Sequence, residues 1–197
     1  MTEQTTQKKY ELLKDDTVEH LGRTLYRIKA LITFGLVGAG QLGGYIETEK
    51  NLDHSGNAWV YDNALVYDDA RVYGNACVYD NALVYGDARV YGNAQVYGNA
   101  RVYGNALVYG DAWVFGNAWV RSLAVISERK MIFWASNVGS ENGTLTVSNG
   151  KFGLIVTRGC FTGTVDEFLS KSKEVHDDKT HHEYKLLIEV AQSRILN

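Results

Sequence analysis

The sequence predicts a mainly β protein centred on a parallel β-helix, and three observations lead to that prediction. From Ala58 onward one six-residue phrase, Ala-x-Val-Tyr-Gly-Asn with small variations, recurs eleven times without an insertion or a deletion. A period of six does not fit the spacing of apolar positions in a helix, but it fits a short strand followed by a turn. Most phrases end in Gly-Asn, Asp-Asn or Gly-Asp, which are typical turn pairs. Three phrases per coil predict a triangular coil of eighteen residues.

Each phrase also predicts which side chains form the interior. Alternate side chains of a strand point to opposite sides, so alanine and valine face one side and the residue between them faces the other. The alanines and valines are expected to stack into a narrow column, in which each buried valine contributes on the order of 1.5–3 kcal/mol. The tyrosines that follow the valines, together with Phe115, are expected to form aromatic ladders along three edges.

These repeats resemble the hexapeptide-repeat family, whose units read aliphatic, small or acidic, x, x, small, x. Valine stands at the aliphatic site and alanine at the small site, whereas the tyrosine directly after valine departs from the family pattern. The resemblance implies a left-handed coil, because the period itself fixes no hand.

Residues 1–33 are predicted to form an N-terminal β cap. Residues 1–9 are polar and expected to be loose, and the short apolar runs between residues 10 and 31 predict a small β-meander. Such a cap would cover the backbone groups and valines that an open coil end exposes.

Residues 34–127 are predicted to form the β-helix, beginning with an imperfect first coil. Leu42 lies eighteen residues before Val60, which places it in the register of the repeats. Gly43 and Gly44 are expected at a corner of that coil.

Residues 128–197 predict a β-hairpin followed by a helical hairpin. Strands are expected over residues 131–136, 144–148 and 152–157. The pair Asn149-Gly150 is a strong signal for a two-residue hairpin turn. Capping boxes that start at Thr164 and Thr180 predict helices that run to about residues 175 and 196. Segments 136–140 and 157–163 resemble the tail of uncharacterised β-helix proteins encoded by bacteriophages and prophages, which implies no established activity.

Composition narrows the functional classes. The net charge of −3 disfavours nucleic-acid binding. The sequence has no signal peptide and no run of eighteen apolar residues, which predicts a soluble cytoplasmic protein with no membrane partner. Cys77 and Cys160 lie in unrelated contexts, which indicates a reducing compartment.

Enzymatic chemistry is disfavoured by the distribution of histidine. Most hexapeptide-repeat enzymes are acyltransferases that use a histidine base and a thioester cofactor, and a carbonic anhydrase on this scaffold needs three histidines for zinc. No histidine occurs between residues 55 and 175. We therefore expect a non-enzymatic protein with no cofactor and no metal. His176, His181 and His182 are interpreted as a solvated turn, with a metal site as the alternative.

Two residues have both a structural interpretation and a catalytic one. His54 lies where the repeats begin and is interpreted as a polar cap residue or as the base of an atypical acyltransferase. Cys160 is interpreted as a small buried residue beside Phe161 or as a nucleophile.

A ligand site is predicted in the C-terminal module. The loop that leads out of the first predicted strand is polar and rich in donors, and Arg158 ends the partner strand of the hairpin. Hydroxyls, amides and one guanidinium suit a small anionic ligand. The candidate residues are Asn137, Ser140, Asn142, Thr144 and Arg158. The alternative is a loop that satisfies its own backbone.

The outward positions of the repeats predict self-association. Leucine and tryptophan on the outside of a rod form an apolar surface that a second copy can cover by symmetry. The candidate interface residues share one face and are Leu65, Leu83, Arg101 and Trp119. We expect a dimer or a trimer.

The leading hypothesis is a non-enzymatic, homo-oligomeric binding protein. It would be an accessory or anti-defence factor of the kind that phages encode, which blocks a host protein or sequesters a small nucleotide-like signal. An atypical acyltransferase and a structural assembly protein are the alternatives.

Overall fold

The computed structural model describes residues 8–196 and shows a β-solenoid flanked by two small β structures. Strands β1 (Tyr10–His20) and β2 (Arg23–Ala30) form an antiparallel hairpin, and β2 also pairs with β3 (Leu42–Ile46). The solenoid strands have two residues each: β4 (Trp59–Val60), β5 (Leu65–Val66), β6 (Arg71–Val72), β7 (Cys77–Val78), β8 (Leu83–Val84), β9 (Arg89–Val90), β10 (Gln95–Val96), β11 (Arg101–Val102), β12 (Leu107–Val108), β13 (Trp113–Val114), β14 (Trp119–Val120) and β15 (Val125–Ile126).

The C-terminal module follows the last coil. It contains strands β16 (Ile132–Val138), β17 (Gly143–Gly150), β18 (Gly153–Arg158) and β19 (Phe161–Thr164), then helices α1 (Val165–Val175) and α2 (Asp178–Ile195). The four strands form one antiparallel sheet in chain order. Within residues 8–196 neither helix combines the length and the apolar content that crossing a membrane requires.

The repeats wind into three parallel faces, which confirms the predicted parallel β-helix, and the coil has about 5 turns. The first face contains β4, β7, β10 and β13, the second contains β5, β8, β11 and β14, and the third contains β6, β9, β12 and β15. Paired residues are eighteen positions apart, as in Val66 with Val84. The second face continues through β3 into the N-terminal hairpin.

The predicted interior is present, and so are the ladders except at Tyr61, whose ring packs edge-on against Trp59 at 6.5 Å instead of joining a ladder. Every alanine and valine of the repeats from Ala58 to Val120 is fully buried. The rings of three ladders stack nearly parallel at 4.7–5.0 Å, and their members are Tyr67, Tyr85 and Tyr103; Tyr73, Tyr91 and Tyr109; and Tyr79, Tyr97 and Phe115. Repeating one phrase therefore places identical groups in contact along the coil axis.

The turns of the coil use a left-handed residue directly after tyrosine. That residue is glycine in most units, but Asp68 and Asp80 adopt φ of 59° there. Their carboxylates accept hydrogen bonds from the next coil, from Gly86 N–H at 3.2 Å and Gly98 N–H at 3.0 Å. The carboxylate thus stabilises a left-handed conformation that few residues other than glycine, asparagine and aspartate adopt.

The first coil departs from the predicted register. Tyr45 pairs with Leu65 and Ile46 with Val66, which is an offset of twenty residues, whereas Leu42 is 51% exposed and does not occupy the column. The expectation of an eighteen-residue first coil is therefore wrong. The longer coil accommodates a 3-10 turn that ends at Asn51, whose buried side chain donates to the Asp68 and Ala70 carbonyl oxygens, each at 2.9 Å.

The two glycines of the first coil lie inside β3, so the corner predicted for them is also wrong. A Cβ on Gly43 would lie 2.5 Å from the Val60 carbonyl oxygen, and one on Gly44 would lie 2.7 Å from that of Ala64. The glycines allow β3 to pass close to the next coil.

Both ends of the solenoid are covered. Tyr10 and Ile28 of the N-terminal hairpin are fully buried in the same cluster as the valine column. At the other end, Asn149 donates to the Val125 carbonyl oxygen at 3.1 Å, and Lys151 N–H donates to that of Leu123 at 3.0 Å. Covered ends leave few unpaired strand groups for end-to-end growth.

Two details of the C-terminal module correct the sequence interpretation. Gly150 pairs with Gly153, so the two-residue turn is Lys151-Phe152 and not Asn149-Gly150. Strand β19 was not predicted, and it extends the expected hairpin to a four-stranded sheet.

The helix starts agree with the prediction in one case of two. The Thr164 box is present, since Thr164 N–H donates to Glu167 and Glu167 N–H donates to the Thr164 hydroxyl. The Thr180 box is wrong, because the N-cap of α2 lies three residues earlier. This N-cap is Asp177, whose carboxylate accepts from Thr180 N–H at 2.7 Å.

Lys9 is buried in the N-terminal cap, although the polar N-terminus was expected to be loose; residues 1–7 lie outside the described residues. Lys9 is 1% exposed, its ammonium donates to the Ala58 carbonyl oxygen at 2.9 Å, and it lies 4.9 Å from the centre of the Phe34 ring. Loss of hydration on burial lowers the pKa of Lys9 to about 8.

Stability is expected to rise between about pH 8 and pH 10 and to fall above it. Below about pH 8 folding buries a charged ammonium, which costs at most about 3 kcal/mol of stability. The unfolded chain keeps the Lys9 proton to higher pH than the folded chain does, so this cost disappears as the pH rises. Burial raises the pKa of Tyr67 to about 12, so the opposite linkage lowers stability above pH 10. Urea unfolding at several pH values measures both the rise and the fall in stability.

Lys9→Met is the matched variant for this profile. It should lose the rise between pH 8 and pH 10 and keep the fall above pH 10, because it removes only the lysine. An equal rise in Lys9→Met would assign the effect to another group.

Candidate functional site

A cleft of about 460 Å³ opens in the C-terminal module between the end of β18, the loop before β19 and the two helices. The side chains that line it include Arg158, Phe161, Phe168, Lys171, His176 and Tyr184, together with one carboxylate, that of Glu141. Strand β18 supplies the arginine, β19 and α1 supply the two phenylalanines, and α2 supplies the tyrosine. The cleft therefore requires the sheet and both helices to pack together.

Arg158 is the fixed cation of this cleft. Its Nε donates to the Tyr184 hydroxyl at 3.0 Å, and its Nη2 donates to the Val138 carbonyl oxygen at 3.3 Å. The guanidinium lies over Gly143, where any Cβ would overlap it. Both acceptors are uncharged, and within residues 8–196 the guanidinium makes no ion pair. An anion in the cleft would meet a positive charge that is already oriented.

Aromatic rings form the walls of the cleft. Phe168 packs against Phe161 at 5.4 Å and edge-on against Tyr184 at 5.2 Å, and the His176 ring lies 5.6 Å from that of Tyr184. Lys171 adds a second cation, but it is exposed and pairs with Glu174 at 2.7 Å. The combination of flat apolar walls and one unneutralised guanidinium suits a ligand with a planar body and a negative charge.

The structure places only one of the five predicted ligand residues in the lining of this cleft, Arg158. Thr144 instead shares a hydrogen bond with Ser136 at 3.0 Å. Asn137 is exposed with positive φ near the end of β16, where the pairing with β17 is irregular. Ser140 and Asn142 are exposed in the turn that follows, and Asn142 also has positive φ. The four residues therefore lie in or beside the hairpin turn.

The turn is nevertheless tied to the helices that form the cleft. Gly139 N–H donates to the Glu183 carboxylate of α2 at 3.0 Å. The aromatic residues of the cleft were not predicted as site residues, although Phe168 and Tyr184 lie on the buried faces of their helices. Apolar spacing identifies such a face, but it cannot show which strand the face will meet.

Cys160 differs from its predicted environment. It is exposed, so its interpretation as a buried residue is wrong. Its carbonyl oxygen accepts from Arg121 Nη2 at 2.6 Å, and the Arg121 Nε also contacts the Thr162 hydroxyl. Because Arg121 follows the last strand of the second face, this contact joins the coil to the module.

His54 is held as part of the N-terminal cap. Its ring stacks on Tyr10 at 4.3 Å, and its Nδ1 accepts from Lys9 N–H at 3.2 Å. A neutral imidazole that accepts at Nδ1 carries its proton on Nε2. The lone pair that a general base would use is therefore already engaged.

The predicted interface residues share the second face, as their spacing implied. Leu65 is only 9% exposed, because Leu25 and Tyr67 pack against it within the same chain. Leu83 is half-buried, and the Arg101 guanidinium lies 4.9 Å from the centre of the Trp119 ring. The surface that remains for a partner is centred on Leu83, Arg101 and Trp119.

Comparison with protein families agrees with the architecture of the repeats. The YdcK beta solenoid repeat model matches residues 58–74, 70–86, 76–92, 84–97, 94–110 and 100–116. These residues lie within the coil, so the match supports a β-helix repeat protein and does not reach the C-terminal cleft. A search of curated proteins found no match.

Proposed function

We propose that this chain is a non-enzymatic, homo-oligomeric binding protein that holds a small nucleotide-like anion in the C-terminal cleft. One observation carries the proposal, namely that the Arg158 guanidinium makes no ion pair within residues 8–196 and lines a cleft with aromatic walls. A volume of about 460 Å³ lies in the range of small-molecule sites. The uncharged acceptors orient the guanidinium without neutralising it.

The proposal extends to a biological setting through the sequence resemblance. Segments 136–140 and 157–163 resemble phage and prophage β-helix proteins, which favours an accessory or anti-defence factor in a host cytoplasm. Such a factor would sequester a nucleotide-like signal or block a host protein. The hexapeptide type and its left-handed coil belong to the same proposal.

The two alternatives receive less support. An acyltransferase needs a free base, and the Nδ1 of His54 already accepts a hydrogen bond from Lys9 N–H. A structural assembly protein that grows end to end needs open coil ends, and both ends of this coil are covered by β structure.

Arg158→Gln is expected to weaken binding of a nucleotide by about 10- to 100-fold, because it removes a charge-assisted hydrogen bond. Calorimetric titration of wild type and variant with a panel of mono- and cyclic nucleotides measures the change. Arg158→Lys also loses the planar fork but keeps the charge, so it should bind better than Arg158→Gln. Equal losses in both variants would show that the planar fork, and not the charge, determines the affinity.

Arg194→Gln is the control for general charge, since Arg194 is exposed near the end of α2 and is not among the residues that line the cleft. Its affinity should match that of wild type. If wild type binds none of the nucleotides, the cleft proposal fails and a protein partner becomes the better interpretation.

Glutamate at both Leu83 and Trp119 is expected to dissociate the oligomer without unfolding the coil. Both side chains point away from the valine column, so the charges disrupt the second face and leave the interior intact. Sedimentation velocity reports the mass and circular dichroism reports the fold. An unchanged mass would place the interface elsewhere, with the exposed apolar residues of α2 as the next candidate.

A further inference from the structure

The third face of the coil carries two arginines side by side. Arg71 and Arg89 are directly paired in the parallel register of β6 and β9, and both are exposed. Side chains at this position of adjacent strands start about 4.8 Å apart. In the described part of the chain neither guanidinium forms a hydrogen bond or an ion pair. Like charges directly opposite one another in paired strands are destabilising, so this arrangement works against folding.

The fold does not require arginine at these positions. The same position of the repeat holds Cys77 and Gln95 on the first face and Leu107 on the third. By contrast, Arg101 on the second face stacks on the ring of Trp119. Packing therefore accounts for Arg101 and leaves the Arg71–Arg89 pair unexplained.

The pair lines a cleft of about 460 Å³ that is separate from the C-terminal one. Its opposite wall is the segment 49–54, which enters from the first coil, and Lys50 adds a third cation. Two carboxylates also line the cleft. Glu49 pairs with Lys8 at 2.8 Å, whereas Asp53 accepts from Ser55 N–H at 3.0 Å and keeps its negative charge, which the three cations outnumber.

We propose that Arg71 and Arg89 together bind a phosphate group at this cleft. A guanidinium presents two parallel donors that match the oxygens of phosphate, and two guanidiniums on adjacent strands can hold one tetrahedral dianion from the same side. Binding also relieves the repulsion between the two cations. The phosphate belongs either to the free inorganic ion or to a phosphate monoester, because both present the same oxygens.

Titration calorimetry with inorganic phosphate tests the site, and a second titration uses adenosine monophosphate. Arg71→Gln and Arg89→Gln should each weaken phosphate binding by about 10- to 100-fold. Among the described residues neither side chain makes a structural bond, and each substitution removes the like-charge pair, so both variants should melt at or slightly above the temperature of wild type. Equal affinities for the two ligands would identify the phosphate group alone as the recognised unit, whereas tighter binding of the monophosphate would identify an ester.

Arg194→Gln is the control, since it removes an exposed arginine of α2 that is not among the residues that line this cleft. It should bind phosphate as wild type does. No binding of either ligand at millimolar concentration by wild type, or an equal loss in Arg194→Gln, would overturn the proposal. Arg158→Gln separates this cleft from the C-terminal one, because it should leave binding at Arg71 and Arg89 unchanged even if the proposed function is wrong.

Discussion

Val90→Asp is expected to abolish folding of the coil. Val90 is fully buried near the middle of the solenoid, and it pairs with Val72 on one side and Val108 on the other. A carboxylate there would be surrounded by alanine and valine side chains and would find no partner. The penalty of several kcal/mol for an unpaired buried charge is comparable with the whole stability of a domain, about 5–15 kcal/mol. Circular dichroism and size-exclusion chromatography should show an unfolded or aggregated protein.

Arg89→Asp is the control for this prediction. It places the same charge one residue earlier on the same strand, but on the exposed side. The variant should fold and melt close to wild type. A soluble Val90→Asp protein with the melting temperature of wild type would contradict the assignment of Val90 to the interior.

The coil could be predicted because its information is local and repeated. Each phrase contains its own strand and its own turn, and the period of six fixes which residue points inward. The valine pairs, the three faces and the tyrosine ladders therefore follow from spacing alone, as in the stacking of Tyr79 on Tyr97. A prediction of this kind needs no knowledge of how distant segments meet.

The first coil could not be predicted, because its register depends on a distant contact. Asn51 inserts its amide between the carbonyl oxygens of Asp68 and Ala70, and the 3-10 turn that positions it adds two residues to the coil. The spacing of Leu42 from Val60 fitted the repeat by coincidence. Leu42 is 51% exposed, so the six-residue spacing predicts burial poorly where the turn residues of the phrase are absent.

The candidate cleft shows the same limit at the level of function. The position of Arg158 at the end of a predicted strand indicates the cation of the site, and Arg158 does line the cleft. The neighbours that complete the cleft come from β19, α1 and α2, and they meet only after the helices dock on the sheet. Phe168 contacts Tyr184 across sixteen residues of sequence. No local pattern specifies that contact.

Gly92→Val is expected to destabilise the protein by about 2–6 kcal/mol. Gly92 adopts φ of +70° in a turn of the coil, a conformation that a β-branched residue disfavours strongly. In addition, a Cβ at this position would lie 2.8 Å from the backbone nitrogen of Gly110 in the next coil. The valine would therefore strain its own turn and push two coils apart. Urea unfolding measures the change.

Two comparisons separate the strain from the steric clash. Gly22 has φ of +78° with open space around it, so Gly22→Val should cost only the strain, about 1–3 kcal/mol. Gly92→Asp should recover part of the loss, because Asp68 occupies the equivalent position of another turn and accepts from Gly86 N–H at 3.2 Å. The same loss for Gly92→Val and Gly22→Val would show that the coils tolerate the extra atoms. In that case the glycines would be required for backbone conformation alone, and close stacking of the turns would contribute nothing to their selection.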